Sequence, residues 1–215
     1  MIHLPKSVCL LSAVALLSVG CDVSVNKSIN VADGETISGG LTTVNGRIRI
    51  GNDAKVSGTS RTVNGGVSVG SNSQVGSLET VNGSIKIGAN SLANGNLKTV
   101  NGSVTCENGS QVKGKISTIN GAIRISECAV EESLSTVNGD VHLTNGSTVE
   151  GDVQFVGKSG GKTRDLKLTL SESSQIKGDV IVENAKVRLT IQLKDDSQIE
   201  GNIPDGVTLE SDGAL

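Results

Sequence analysis

The chain has 215 residues and a formal net charge of −3, with acidic and basic residues interspersed, which implies no nucleic-acid or polyanion partner. Phe155 is its only residue among Phe, Tyr and Trp, so the stacking platforms that single-stranded nucleic acids need are absent too. Glycine accounts for 28 positions and apolar content comes mainly from Val, Ile and Leu, a composition suited to narrow sheets with tight turns rather than to a large globular core. In chain order, residues 1–20 come first and read as an export signal. Lys6 supplies the positive region, and Val8 to Leu17 form an apolar stretch too short to span a bilayer. No other stretch of the chain is a transmembrane candidate.

Leu17-Ser18-Val19-Gly20-Cys21 closes that stretch and resembles a bacterial lipobox. The resemblance implies a diacylglyceryl thioether on Cys21, which becomes the acylated N-terminus after cleavage. A plain signal peptide cut near Gly20 is the alternative. Two or three acyl chains, at about 0.8 kcal/mol per buried methylene, anchor a protein stably where one does not. Asp22 is similar to the residue that retains enterobacterial lipoproteins in the inner membrane, facing the periplasm; without that signal the expected site is the outer membrane. Residues 21–25 are then the anchor and a short lead-in.

From residue 26 to 203 the chain repeats. The tetrapeptide Thr-Val-Asn-Gly, with one Ile variant, places asparagines at Asn45, Asn64, Asn82, Asn101, Asn120 and Asn138, and Asn26 opens the same pattern, at intervals of 18 or 19 residues. A fixed short period marks units that bury their apolar faces only against their neighbours. After each Asn-Gly come two apolar residues two apart, a turn, Ala or Ser, a second apolar position, Gly, and a third apolar position before Thr. This is strand alternation along three sides. Ile48 and Ile50 head one column, continued by Val67 and Val69, Ile85 and Ile87, Val104 and Cys106, Ile123 and Ile125, and Val141 and Leu143. A second column runs through Ile37, Val56, Val75, Ala93, Val112, Val130, Val149, Ile176 and Ile199.

The expected fold is therefore all-β: a single-domain parallel β-solenoid, triangular and right-handed by the general preference for parallel crossovers, with about nine coils roughly 4.8 Å apart. Counting back from Ile176 and Ile199 places Leu168, Leu170, Ile191 and Leu193 in the first columns. It also exposes insertions around Gly157 to Asp165 and after Asn184, with longer strands beside them. Residues 204–215 read as a C-terminal cap or tail, and Pro204, having no N–H to donate, is expected to blunt the last edge and limit self-association.

Stacked asparagines are expected to bond amide to amide as a ladder at a buried corner, with the following Gly in a left-handed conformation. Candidate chemistry is sparse. His3 leaves with the signal, so His142 is the one histidine of the mature chain, at an outward strand position. Glu131-Glu132 and Asp195-Asp196 fall on separate turns without a basic cluster, and Ser159-Gly160-Gly161-Lys162-Thr163 lacks the spacing of a phosphate loop. These read as solvated residues and a flexible insertion. No catalytic residue, metal ligand or cofactor site is expected. Cys106 and Cys128 remain once Cys9 and Cys21 are accounted for, and lie on adjacent coils. Export permits a disulfide between them if they come within the ~7 Å Cα limit, and two separate thiols are the alternative. Arg49, Lys86 and Arg124 form an outward column on alternate coils, either a solvated face or one that meets an anionic surface.

Ser-Gln-Val-Lys-Gly-Lys-Ile (110–116), Ser-Thr-Val-Glu-Gly-Asp-Val (147–153), Ser-Gln-Ile-Lys-Gly-Asp-Val (174–180) and Ser-Gln-Ile-Glu-Gly-Asn-Ile (197–203) resemble the bactofilin family. The resemblance implies a right-handed triangular β-solenoid and a scaffolding role. The Thr-Val-Asn-Gly corner is similar to that of exported adhesin-like solenoids. The expected function is thus a non-enzymatic, membrane-anchored envelope lipoprotein serving as a structural element. The alternative is an adhesin-like module that binds an envelope protein or polysaccharide through one face.

Overall fold

Alternating Val, Ile and Leu separated by short polar turns form strands that pair only in parallel, each with the equivalent strand one coil away. The computed structural model describes residues 22–157 and 162–212. Residues 1–20, read from the sequence as an export signal, and Cys21 lie outside these residues. Among the described residues the chain is a β-solenoid of about nine coils with no helix. Its first side is built from Ile29–Val31, Ile48–Ile50, Val67–Val69, Ile85–Ile87, Val141–Thr144, Arg164–Leu170, Val187–Leu193 and Thr208–Ser211, together with the leading halves of Val104–Val112 and Ile123–Val130. Thr36–Ile37, Lys55–Val56, Gln74–Val75, Leu92–Ala93, Thr148–Val149, Gln175–Ile176 and Gln198–Ile199 form the second side with the trailing halves of those two long strands. The third side is a separate nine-stranded sheet from Asp22–Ser24 to Val180–Val182.

The pairing follows the sequence columns. Ile48 stands against Val67, Ile85 against Val104, Val141 against Leu168 and Leu168 against Ile191. On the second side Ile37 pairs with Val56, and Ile176 with Ile199. Leu41, Leu78, Leu97, Ile116, Leu134 and Val153 supply the third column. One contiguous core runs the length of the stack. A defect interrupts it at Ser60, which sits in the leucine column between Leu41 and Leu78, fully buried and with its hydroxyl unpartnered among the described residues.

The three corners are made differently. Between the first and second sides the chain turns through left-handed residues, including Gly34, Asp53, Asn72, Asn90, Asn108 and Asn145. Just after each of these turns except the first, where Glu35 follows Gly34, stands a buried Ala, Ser or Cys. Ser73 and Ser91 donate their hydroxyls to Gly51 and Gly70 on the preceding coil, and each accepts a backbone N–H from the equivalent residue of that coil. At the second corner, side-chain oxygens of Ser77, Asn96, Ser133, Asp152 and Asp179 accept backbone N–H groups from the next coil.

At the third corner, that of the repeated tetrapeptide, the expected left-handed glycine is not found. Gly65, Gly83, Gly102, Gly121 and Gly139 lie outside the left-handed region. Glycine is required by closeness instead: a Cβ on Gly102 would lie 2.0 Å from the Gly83 carbonyl oxygen, and one on Gly83 2.1 Å from that of Gly65. The stack also extends past the expected boundaries. Asp22–Ser24 already pairs with Leu41–Thr43, so it belongs to the first coil rather than to a lead-in. Beyond Pro204, Thr208–Ser211 adds a strand to Val187–Leu193. Among the described residues, Pro204 follows the last strand of the third side, Val180–Val182, while the first side continues to Thr208–Ser211, whose outer edge pairs with no described strand.

Candidate binding face along the asparagine ladder

The tetrapeptide splits its four positions between core and surface. Thr points inward, and its hydroxyl donates to a carbonyl of the preceding coil: Thr62 to Gly46 at 2.8 Å, Thr80 to Gly65 at 2.7 Å and Thr99 to Gly83 at 2.8 Å. Val points outward, leaving Val44, Val63, Val81 and Ile119 between 36 and 39% exposed. Asn follows, and each amide donates to the one below. Asn45 donates to Asn26 at 2.8 Å, Asn64 to Asn45 at 2.7 Å, Asn82 to Asn64 at 2.9 Å, Asn101 to Asn82 at 2.9 Å, Asn120 to Asn101 at 2.8 Å and Asn138 to Asn120 at 2.7 Å.

This ladder stands on an exposed edge, not at the buried corner expected from the sequence. The buried polar role falls to Thr, because alternation places Thr and Asn two residues apart across a bend. The ladder ends where the coil widens. Phe155 takes the inward place of Thr in the coil after Asn138, and Arg164 donates to Asn138 Oδ1 at 2.8 Å and to the Val137 carbonyl.

Beside the ladder, on the outer surface of the first side, lies a groove of about 950 Å³. Its floor is the coil Gly65-Gly66-Val67-Ser68, which carries no long outward side chain. Asn45, Asn64 and Asn82 form one wall. Arg47 and Arg49 flank the floor on one neighbouring coil, and Ser84 and Lys86 flank it on the other. Lys86 also meets Glu107 at 3.0 Å on the far edge of the same face. Farther along, Arg124 donates to Ser103 at 3.3 Å and pairs in register with His142. His142 is half-buried rather than fully solvated. Burial lowers its pKa from the ordinary value, with Arg124 and Lys167 acting the same way and Asp140 opposing.

The remaining sequence candidates stay apart. Glu131 accepts a bond from Gln111, while Asp195 and Asp196 occupy left-handed positions at a different corner. Lys162 and Thr163 are exposed, and Ser159, Gly160 and Gly161 fall outside the described residues. Among the described residues no three His, Cys, Asp or Glu side chains gather as a metal site. Cys106 and Cys128 are joined in a disulfide with a Cα separation of 6.2 Å. Cys106 belongs to the apolar column of Ile87 and Ile125. Cys128 occupies the serine column, in register with Ser110, so the bridge links two adjacent coils through the core. Sequence reasoning missed the serine column and the groove; the Ala/Ser position of the repeat was the available signal for the first.

Fold and face together define a parallel β-solenoid with a polar flank. Compared with protein families, curated proteins and solved structures, the chain shows no match.

Proposed function

We propose that the protein is a non-enzymatic lipoprotein of the bacterial cell envelope, anchored through Cys21 and serving as a short rigid structural element. The observation that carries this reading is the start of strand pairing at Asp22, directly after the lipobox-like cysteine. A lipid there would join the membrane to the first coil with no flexible spacer, so the rod would be held at a fixed height. Radiolabelled palmitate should enter the full chain and be lost on Cys21→Ser. Equal labelling of both would sink the anchor. Light scattering across a concentration series addresses self-association, which the open strand Thr208–Ser211 would permit and Pro204 would oppose. A constant monomer mass fits a single rod, and growth with concentration would make it a filament.

The groove beside the ladder favours a second role for the same rod, as an interaction module for an envelope protein or polysaccharide. It concentrates cations, of which Arg47 and Arg49 have no side-chain partner among the described residues, and a row of amides on one flank, where a purely structural rod has no need of them.

A further inference from the structure

The groove can be assigned a ligand class from its chemistry, an inference that rests on the interaction-module reading. Arg47 and Arg49 are exposed and have no side-chain partner among the described residues, and no Asp or Glu lines the groove. The net charge of the whole chain argues against a polyanion, but the local distribution is the reverse: three cations frame one bare coil. Arg49, Ser68 and Lys86 stand in register on successive coils, so the two cation-bearing coils are roughly 10 Å apart with a gap between them. The adjoining ladder is only half used. Each interior amide has two N–H donors and an oxygen with two acceptor sites, and the rung-to-rung bonds take one of each. One donor and one acceptor per coil therefore stay available at the exposed edge.

We propose that this groove binds an acidic polysaccharide strand lying parallel to the solenoid axis, with its hydroxyls on Asn45, Asn64 and Asn82 and an anionic group held between Arg47, Arg49 and Lys86. An extended sugar chain has hydroxyls at short regular intervals, matching a wall that offers a donor and an acceptor on every coil. A guanidinium pair suits a carboxylate or phosphate because its planar donors bond two oxygens at once. A strand lying along the ladder can lower its anionic group over the bare coil between the cations, whereas a flat membrane surface would rest on the tips of the side chains and leave the Gly65–Gly66 floor and the ladder untouched.

The test uses the full chain in mild detergent and isothermal titration with hexagalacturonate. Fully methyl-esterified hexagalacturonate serves as the uncharged control, and soluble dihexanoylphosphatidylglycerol as an anionic lipid. Hexagalacturonate should bind, weaken at least about tenfold in the double variant Arg47→Ala, Arg49→Ala, and weaken further as salt is raised. The ester should bind at least about tenfold more weakly than the acid. Both arginines are exposed, so circular dichroism should show the variant folded as the wild type. No binding of hexagalacturonate overturns the proposal, as does lipid binding through the same arginines without oligosaccharide binding. Equal binding by wild type and double variant also overturns the site but leaves the interaction-module reading standing. None of these outcomes bears on palmitate labelling, so the anchor is judged separately.

Discussion

Replacing Gly102 with Ala tests whether closeness between coils, rather than backbone conformation, makes the corner glycines necessary. The new Cβ would lie 2.0 Å from the Gly83 carbonyl oxygen. Ordinary non-bonded contact between heavy atoms lies near 3.5 Å, so the two coils must part locally by more than about 1 Å. Two hydrogen bonds cross that gap, Thr99 Oγ1 to the Gly83 carbonyl at 2.8 Å and Asn101 Nδ2 to Asn82 Oδ1 at 2.9 Å, and neither survives such a displacement. The part-buried Thr99 bond contributes about 1.5 kcal/mol net and the exposed amide bond about 0.5 kcal/mol, and leaving the buried Thr99 hydroxyl unpaired costs about 1 kcal/mol more. The sum, about 3 kcal/mol, corresponds to a fall in Tm of roughly 6–12 °C for a chain of this size. Thermal melts followed by circular dichroism under oxidising conditions would read it. Two controls sharpen the result. Gly146→Ala introduces left-handed strain, φ 65°, with nothing within 4 Å, and should cost only about 1 kcal/mol. Asn101→Ala removes two amide bonds on an exposed edge, where the partners rehydrate, and should also cost about 1 kcal/mol. A Tm for Gly102→Ala within about 2 °C of wild type would refute the close-approach argument.

Three further outcomes are expected. Cys128→Ser returns the residue type of its column and removes a cross-link spanning 22 residues, so it should cost about 3 kcal/mol, and reductant should lower the wild-type Tm by a similar amount; a variant as stable as the oxidised wild type would show the bridge contributes nothing. Ser60→Ala removes a buried, unpartnered hydroxyl and should stabilise by about 1 kcal/mol in the same melts, whereas a loss would reveal a partner for that group. His142 has a folded-state pKa below its ordinary value, so the unfolded chain binds the proton more readily. Its contribution to stability is complete above the ordinary value and falls as pH drops through that value to the lowered one. Urea unfolding at pH 7 and pH 5 should show this loss in wild type and less of it in His142→Gln.

The apolar columns were legible because side-chain alternation and a nearly constant period leave one register that buries Ile48, Val67, Ile85 and Val104 together. The register could even be carried across the insertions to Leu168 and Ile191, since a slip of one residue would turn every apolar side chain outward. The role of Gly102 was misread because a glycine after asparagine commonly marks a left-handed turn. Here those conformations went to Asp53, Asn72 and Asn90 at another corner, and only the approach of neighbouring coils explains the glycine. The ladder's exposure depends on where the bend falls between Thr99 and Asn101, which spacing does not specify. Whether Cys106 reaches Cys128 depends on the corner between them. The groove was hidden for a related reason: Arg47, Gly66 and Lys86 are ordinary turn and surface residues until stacking sets a coil without outward bulk between coils that have it.

The asparagine ladder also has a direction. Every amide from Asn45 onward donates toward the N-terminal end, and every amide accepts from the C-terminal side, so the seven side-chain dipoles are aligned rather than alternating. Aligned amides reinforce one another, as peptide groups do along a helix, and place partial negative charge at the last acceptor. That acceptor is Asn138 Oδ1, and the guanidinium of Arg164 lies 2.8 Å from it. The coil that widens to admit Phe155 and the longer strands thus supplies the counter-charge that terminates a polarised column of amides, so the change in cross-section and the electrostatic boundary coincide.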